Sequence, residues 1–147
     1  MERILVAVDG SDTALRAVDF AANLAAQLDA ELTLITVIEE GYVGDRALRD
    51  FASAEHLASA WGDLSEARAT EILIAAHERA AAYAGVRVRK EWRTGSPHAE
   101  IARYADEQKA DLIVVGTSGR GRLAGVLLGS VAFKLLGTAS CPLTVVR

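Results

Sequence analysis

Three short runs of this chain are almost solidly apolar: "RILVAV" (3–8), "ELTLITVI" (31–38) and "DLIVVG" (111–116). A strand with one wet face alternates apolar and polar residues. An unbroken run fits a strand covered on both faces, the condition of a parallel sheet. Parallel neighbours cannot be joined by a hairpin and need a crossover of a dozen or more residues, usually a helix. The chain must therefore supply helices between its strands, and the intervening sequence does so.

After "DGSD", where Ser11 or Asp12 can cap a helix, apolar residues recur at Ala14, Ala17, Val18, Ala21, Leu24, Ala25 and Leu28 with helical spacing. "EEGYVGDRALRD" (39–50) reads as a loop. Phe51, Ala54, Ala58 and Trp61 stand at helical spacing until Gly62 interrupts. A longer helix is expected from about Asp63 to Tyr83, carrying Leu64, Ile72, Ala76, Ala80 and Tyr83, with Gly85 as its C-cap. "VRVRKEW" (86–92) alternates, as a half-exposed edge strand would. Ser96 and Pro97 open the next helix as N-cap and first helical residue, and Ile101, Tyr104 and Ala105 give its buried stripe. A short helix from near Ser130 to Leu136 and a last strand in "CPLTVVR" complete the chain, with Pro142 tolerated at a strand start. The alternation predicts an α/β fold: an open five-stranded parallel sheet with helices on both faces, Rossmann-like. Ligands of such sheets bind outside the carboxyl ends of the strands, where the strand order reverses.

At 147 residues the chain is expected to be one domain with a core of its own. A net charge of −4 argues against nucleic acid, which calls for a basic face. No apolar run approaches the ~20 residues of a membrane span, and the N-terminal run is too short for a signal peptide. The single cysteine, Cys141, precludes an internal disulfide and suits a reducing cytoplasm. His56, His77 and His98 share no metal-ligand spacing, so no metal site is expected in the protein itself.

The stretch "GTSGRGRLAGVLLGS" (116–130) holds Gly116, Gly119, Gly121, Gly125 and Gly129 out of 12 glycines in the chain, so the backbone has a task there. Bare N–H groups form anion-binding concavities, and a helix beginning at Ser130 adds its unpaired N–H groups and dipole. Three or four hydrogen bonds to a charged group, about 1.5–3 kcal/mol each, suffice for micromolar nucleotide binding. A Walker A loop is ruled out because Arg122 and Leu123 follow Gly121. "GRGRLA" (119–124) fits a dinucleotide loop, but no acidic residue stands in the strand that follows. The pattern that matches in full is Gly116-x2-Gly119-x9-Gly129-Ser130. The plainer alternatives are a tight strand-to-helix connection for 116–130, a helix cap for Asp9, pure core for Val37, and solvated charges for Arg120 and Arg122. Ser130 lacks the Gly-x-Ser-x-Gly elbow of a nucleophile, and no catalytic residue is assigned.

With that glycine spacing, "ILVAVDGSD", "GSPHAEI", "ADLIVVGTSGRGRLAGVLLGSVAFKLL" and "CPLTVVR", the sequence resembles the ATP-binding branch of the universal stress protein family over essentially its whole length. The resemblance implies strand order 3-2-1-4-5. It implies an adenosine-side role for Asp9, a backbone contact from Val37 to the adenine edge, and packing of Val115 near the nucleoside. Gly116, Gly119, Gly129, Ser130 and Val131 would form the phosphate and ribose cradle, with Arg120 and Arg122 near the phosphates. Ser118 departs from the histidine or arginine common in the family. The expected activity is that of an ATP-binding stress-response module with at most slow hydrolysis, taking Mg2+ or Mn2+ only with the triphosphate. The rivals are a dedicated nucleotide hydrolase or adenylyl-transfer enzyme, and a nucleotide-free protein regulating a partner. A cyclic nucleotide can replace ATP in the same cradle. A homodimer through the last strand, 142–147, is implied, and a regulatory protein partner is compatible. Residues 39–62 match the family's variable region and receive no role.

Overall fold

The computed structural model describes residues 1–39, 54–117 and 128–147, the side chains of 54–58 excepted. Five strands, β1 (Arg3–Ala7), β2 (Glu31–Ile38), β3 (Arg87–Thr94), β4 (Leu112–Gly116) and β5 (Leu143–Val146), form one sheet in the order β3-β2-β1-β4-β5. Every pairing is parallel. The helices between them are α1 (Asp12–Leu28), α2 (Ala54–Ala81), α3 (Pro97–Gln108) and α4 (Ser130–Thr138). The fold class and strand order are those expected.

The apolar runs work as the covered-strand argument requires. Alternate residues of β1, β2 and β4 enter two separate cores. Ile4, Val6, Leu32, Leu34 and Val114 pack with Ala17, Val18 and Ala21 of α1 and Ile72, Leu73 and Ala76 of α2. Leu5, Ile35, Ile113 and Val115 pack with Ile101 and Tyr104 of α3 and Ala132 and Leu135 of α4. The small alanines on α1 let the helix lie close on the sheet. Ser11 caps α1, its hydroxyl accepting from the Ala14 N–H at 3.2 Å.

Some boundaries and faces differ from expectation. Gly62 does not interrupt: α2 runs through it, because its site is exposed and nothing comes within 4 Å. Intrinsic propensity, about 1 kcal/mol against alanine, is overridden by the packing of the rest of the helix. Leu64 is 54% exposed, and Ser65 takes the buried position beside it. Leu28 also faces solvent, at the last residue of α1. Helix α2 ends at Ala81, and Gly85 lies in the turn beyond it at φ +83°. Ser96 is the N-cap of α3 by position, but its hydroxyl meets His98 Nδ1 at 3.1 Å instead of capping the backbone. Helix α4 starts at Ser130 as expected and extends to Thr138, past the Leu136 limit. The loop read at 39–50 and the position of Phe51 lie outside the described residues, except for Glu39.

The sheet's N-terminal edge is tied by one carboxylate. Asp111 Oδ2 accepts from the main-chain N–H groups of Glu2 at 2.6 Å and Arg3 at 2.9 Å. Its own N–H donates to the Arg3 carbonyl at 2.9 Å. The two accepted hydrogen bonds favour the ionised form and hold the Asp111 carboxyl below its usual range. A depressed folded pKa gives stability that is present above the unfolded value, about 3.9, and lost as pH falls through the folded one. Asp111→Ala is therefore expected to lower the melting temperature at pH 7. The gap to the parent should narrow below about pH 4, as read by thermal melts across pH 2–7.

Candidate functional site

Register brings the ends of three adjacent strands to one level. Ala7 pairs with Ile35, and Val6 with Val114. Two residues past those rungs stand Asp9 beside Val37 and Val8 beside Gly116, so Asp9, Val37 and Gly116 lie within one residue of a common level. Strand β1 has β2 on one side and β4 on the other, so this is where the strand order reverses.

At Val37 the ladder leaves main-chain groups for other work. Beyond the last paired residue of β1, the Val8 N–H donates to the Ile35 carbonyl at 2.8 Å. In a strand, alternate residues turn their N–H and C=O to the same side. Val37 therefore directs its N–H and C=O to the β1 side, past the end of β1. Ile38 turns the other way, and its carbonyl accepts from the Gly95 N–H at 3.0 Å. The Val37 side chain packs against the α3/α4 core, so any recognition here belongs to the backbone.

Asp9 is half-buried in the turn between β1 and α1. Its Oδ1 accepts from the Ser11 N–H at 2.9 Å, an Asx turn. Ser11 occupies the N-cap, which removes the reading of Asp9 as the helix cap. The turn fixes the carboxylate at the mouth of the crevice and leaves Oδ2 outside that bond.

On the other side, Thr117 is held twice. Its N–H donates to the Val146 carbonyl at 2.8 Å, and its carbonyl accepts from the Gly129 N–H. The chain thus leaves β4 and returns to α4 at neighbouring points. Gly129 is the N-cap of α4, in extended conformation, and as a glycine it brings no side chain to cap the helix. The first helical rung is Phe133 N–H to the Gly129 carbonyl at 2.9 Å. The leading N–H groups of α4, beginning with exposed Ser130 and half-buried Val131, thus stand at the same edge as Asp9 and Val37. Ser130 is the first helical residue, and the capping position belongs to Gly129. Val115 is 3% exposed and belongs to the α3/α4 core, directly beneath this edge. Gly119, Arg120 and Arg122 lie outside the described residues.

Gly116 has a reason of its own. A Cβ there would stand 2.7 Å from the Thr13 carbonyl carbon and 2.9 Å from the Ala14 nitrogen. Both are backbone atoms of the first turn of α1, which cannot step aside as a flexible side chain would. The glycine lets the end of β4 touch the start of α1. Spacing alone placed Gly116 at the end of the strand and in the glycine pattern, and missed this contact. It also missed Thr117, which acts through its main chain and so leaves no trace in side-chain chemistry.

The profile of the universal stress protein family matches residues 1–147. The chain belongs to the universal stress protein family. A universal stress protein of Methanocaldococcus jannaschii is 35% identical over 147 residues, covering 99% of this chain and 82% of the relative. Among solved structures, the universal stress protein UspA from Lactobacillus plantarum superposes with a TM-score of 0.82 at 28% identity, covering 99% of this chain and 97% of that one. A universal stress protein solved in complex with cAMP superposes at 0.73 and 30% identity, covering 99% and 97%.

The close approach at Gly116 gives a direct test of the frame of this universal stress protein's site. Gly116→Ala should destabilise the fold by about 1–3 kcal/mol, the cost of overpacking, read as a lower urea midpoint. The same change at Gly62, where nothing lies within 4 Å, should instead be stabilising by about 0.5–1 kcal/mol.

Proposed function

We propose that the protein is an ATP-binding stress-response module of the cytoplasm, whose nucleotide lies across the carboxyl edge over β2, β1 and β4. One observation carries the reading. The outward main-chain groups of Val37 and the glycine-capped start of α4 stand at one edge of the sheet, with Asp9 between them. A donor and an acceptor on one strand suit the edge of a purine base, and unpaired helix N–H groups suit a phosphate. In this reading Asp9 meets the ribose or adenine, and Gly129, Ser130 and Val131 continue the cradle begun by Gly116 and Gly119, with Val115 forming its floor. Arg120 and Arg122 add attraction near the phosphates. Mg2+ or Mn2+ enters with the triphosphate, held by phosphate oxygens and water. The residues fit the nucleotide without a metal cage, because backbone amides need no counter-cation. Asp9 lies at the nucleoside end, away from the bond that hydrolysis would cleave, so turnover is slow and binding state is the signal, passed to a regulatory protein partner. The neighbour solved with cAMP supports an adenine nucleotide as ligand class.

The same reading makes the protein a homodimer through 142–147. Strand β5 is an edge strand, and the Ile113 N–H bonded to the Pro142 carbonyl sets its phase. Leu143 and Val145 then turn their main-chain groups outward, where a second copy can pair. Light scattering at micromolar concentration should give twice the chain mass, and a monomer there refutes the pairing.

Denaturing the purified protein and identifying released nucleotide by mass spectrometry tests the ligand. ATP is expected. A cyclic nucleotide would move the assignment to that ligand, and protein that carries no nucleotide and takes none up would sink the reading. Gly119→Val should keep the circular dichroism spectrum and lose ATP binding, because a side chain fills the cradle. Equal affinity would contradict the main-chain account.

A further inference from the structure

The α1/α2 core changes character toward the carboxyl edge. Along β2 the residues on that face run Leu32, Leu34, then Thr36, which is 2% exposed. On α2 the inward face runs from Ala80 and Ala76 through Leu73, Ile72 and Ala69 to Ser65, also 2% exposed. The Ser65 hydroxyl is buried and has no hydrogen-bond partner among the described residues. One turn earlier stands Trp61, half-buried, and it is not among the residues packed on either described core.

Position along the helix fixes the level of these side chains. Helix α2 joins two parallel strands and must run back against them. Its far end delivers Tyr83 and Val86 to the start of β3, level with Glu31. From Ala80 back to Ser65 is a rise of roughly 22 Å at 1.5 Å per residue. From the first to the last of the eight residues of β2 the strand rises about 23 Å, at about 3.3 Å per step. Ser65 therefore stands level with the carboxyl end of β2, where Val37 turns its main chain into the crevice, and Trp61 stands one turn above.

A buried hydroxyl without a partner is costly, and a serine inside a helix has ready relief in alanine. An orphan of this kind beside a binding edge has a natural partner in a ligand. We propose that Ser65 and Trp61 of α2 form the nucleobase end of the site, the Ser65 hydroxyl hydrogen-bonding a ring nitrogen or amino group of the purine and the Trp61 indole covering its face. This rests on the nucleotide reading above and adds a wall to it from the α2 side.

The test separates the two. Nucleotide-free parent and Ser65→Ala are titrated with ATP and with adenosine, and their melting temperatures are compared without ligand. Ser65→Ala should melt no lower than the parent, yet bind both ligands about threefold to tenfold more weakly, the range of one neutral hydrogen bond. The factor should be equal for ATP and adenosine, since the lost contact is to the base. In a Trp92→Phe background, Trp61 emission should shift on adding adenosine. Unchanged affinity in Ser65→Ala, a loss confined to ATP, a lower melting temperature, or an unmoved Trp61 signal overturns the proposal while the nucleotide reading stands. A parent protein that binds neither ligand brings down both.

Discussion

The hydrogen bonds of β1 to two partners at once are the constraint on which the remainder depends. With β2 on one side and β4 on the other, β1 joins halves of the sheet whose crossovers serve opposite faces. Helices α1 and α2 cover one face, α3 and α4 the other. The connections after β1 and β4 therefore part company above the sheet, and a crevice opens between them. Because β1 ends its pairing before β2 does, Val37 turns a donor and an acceptor past the end of β1, beside that crevice. No special side chain is needed to create it; the relative lengths of two strands are enough.

The two outer strands are treated differently. Strand β3 carries charge along its length: Arg87 meets Asp29, Arg89 meets Glu31, and Arg93 lies near Glu91 and Glu107 with its guanidinium 5.2 Å from the Tyr104 ring centroid. Exposed pairs of this kind contribute little to stability. They do discourage a further strand from adding at that edge. Strand β5 has Leu, Thr, Val and Val, all half-buried. The molecule is closed to sheet extension on one side and permissive on the other.

Much of this was legible in the letters. Covered strands exclude polar residues, so β1, β2 and β4 announced themselves, and the alternation of β3 marked its edge position. The segment 97–108 was readable because Ser96 and Pro97 fix its start and Ile101, Tyr104 and Ala105 its inner face. The misses share a cause: side-chain identity is a poor guide where another force decides. Gly62 reads as a breaker, yet a long helix packed elsewhere carries one exposed glycine. Leu64 reads as an apolar residue of the inner face, yet it faces solvent and Ser65 beside it is buried, because hydrophobicity does not by itself give direction. Asp9, Val37 and the start of α4 could be named from a family pattern. How they meet depends on strand register and on which residues turn their amides outward, and neither is written in side-chain chemistry.

Gly116 shows what such a pattern records. Its contact is with the first turn of α1, internal to the scaffold. A descendant that abandoned its ligand would be free to fill the rest of the glycine stretch, but selection for a folded chain would still forbid a side chain here. Retention of this one glycine among distant descendants is thus a mark of shared architecture and carries no information on whether the crevice is still in use.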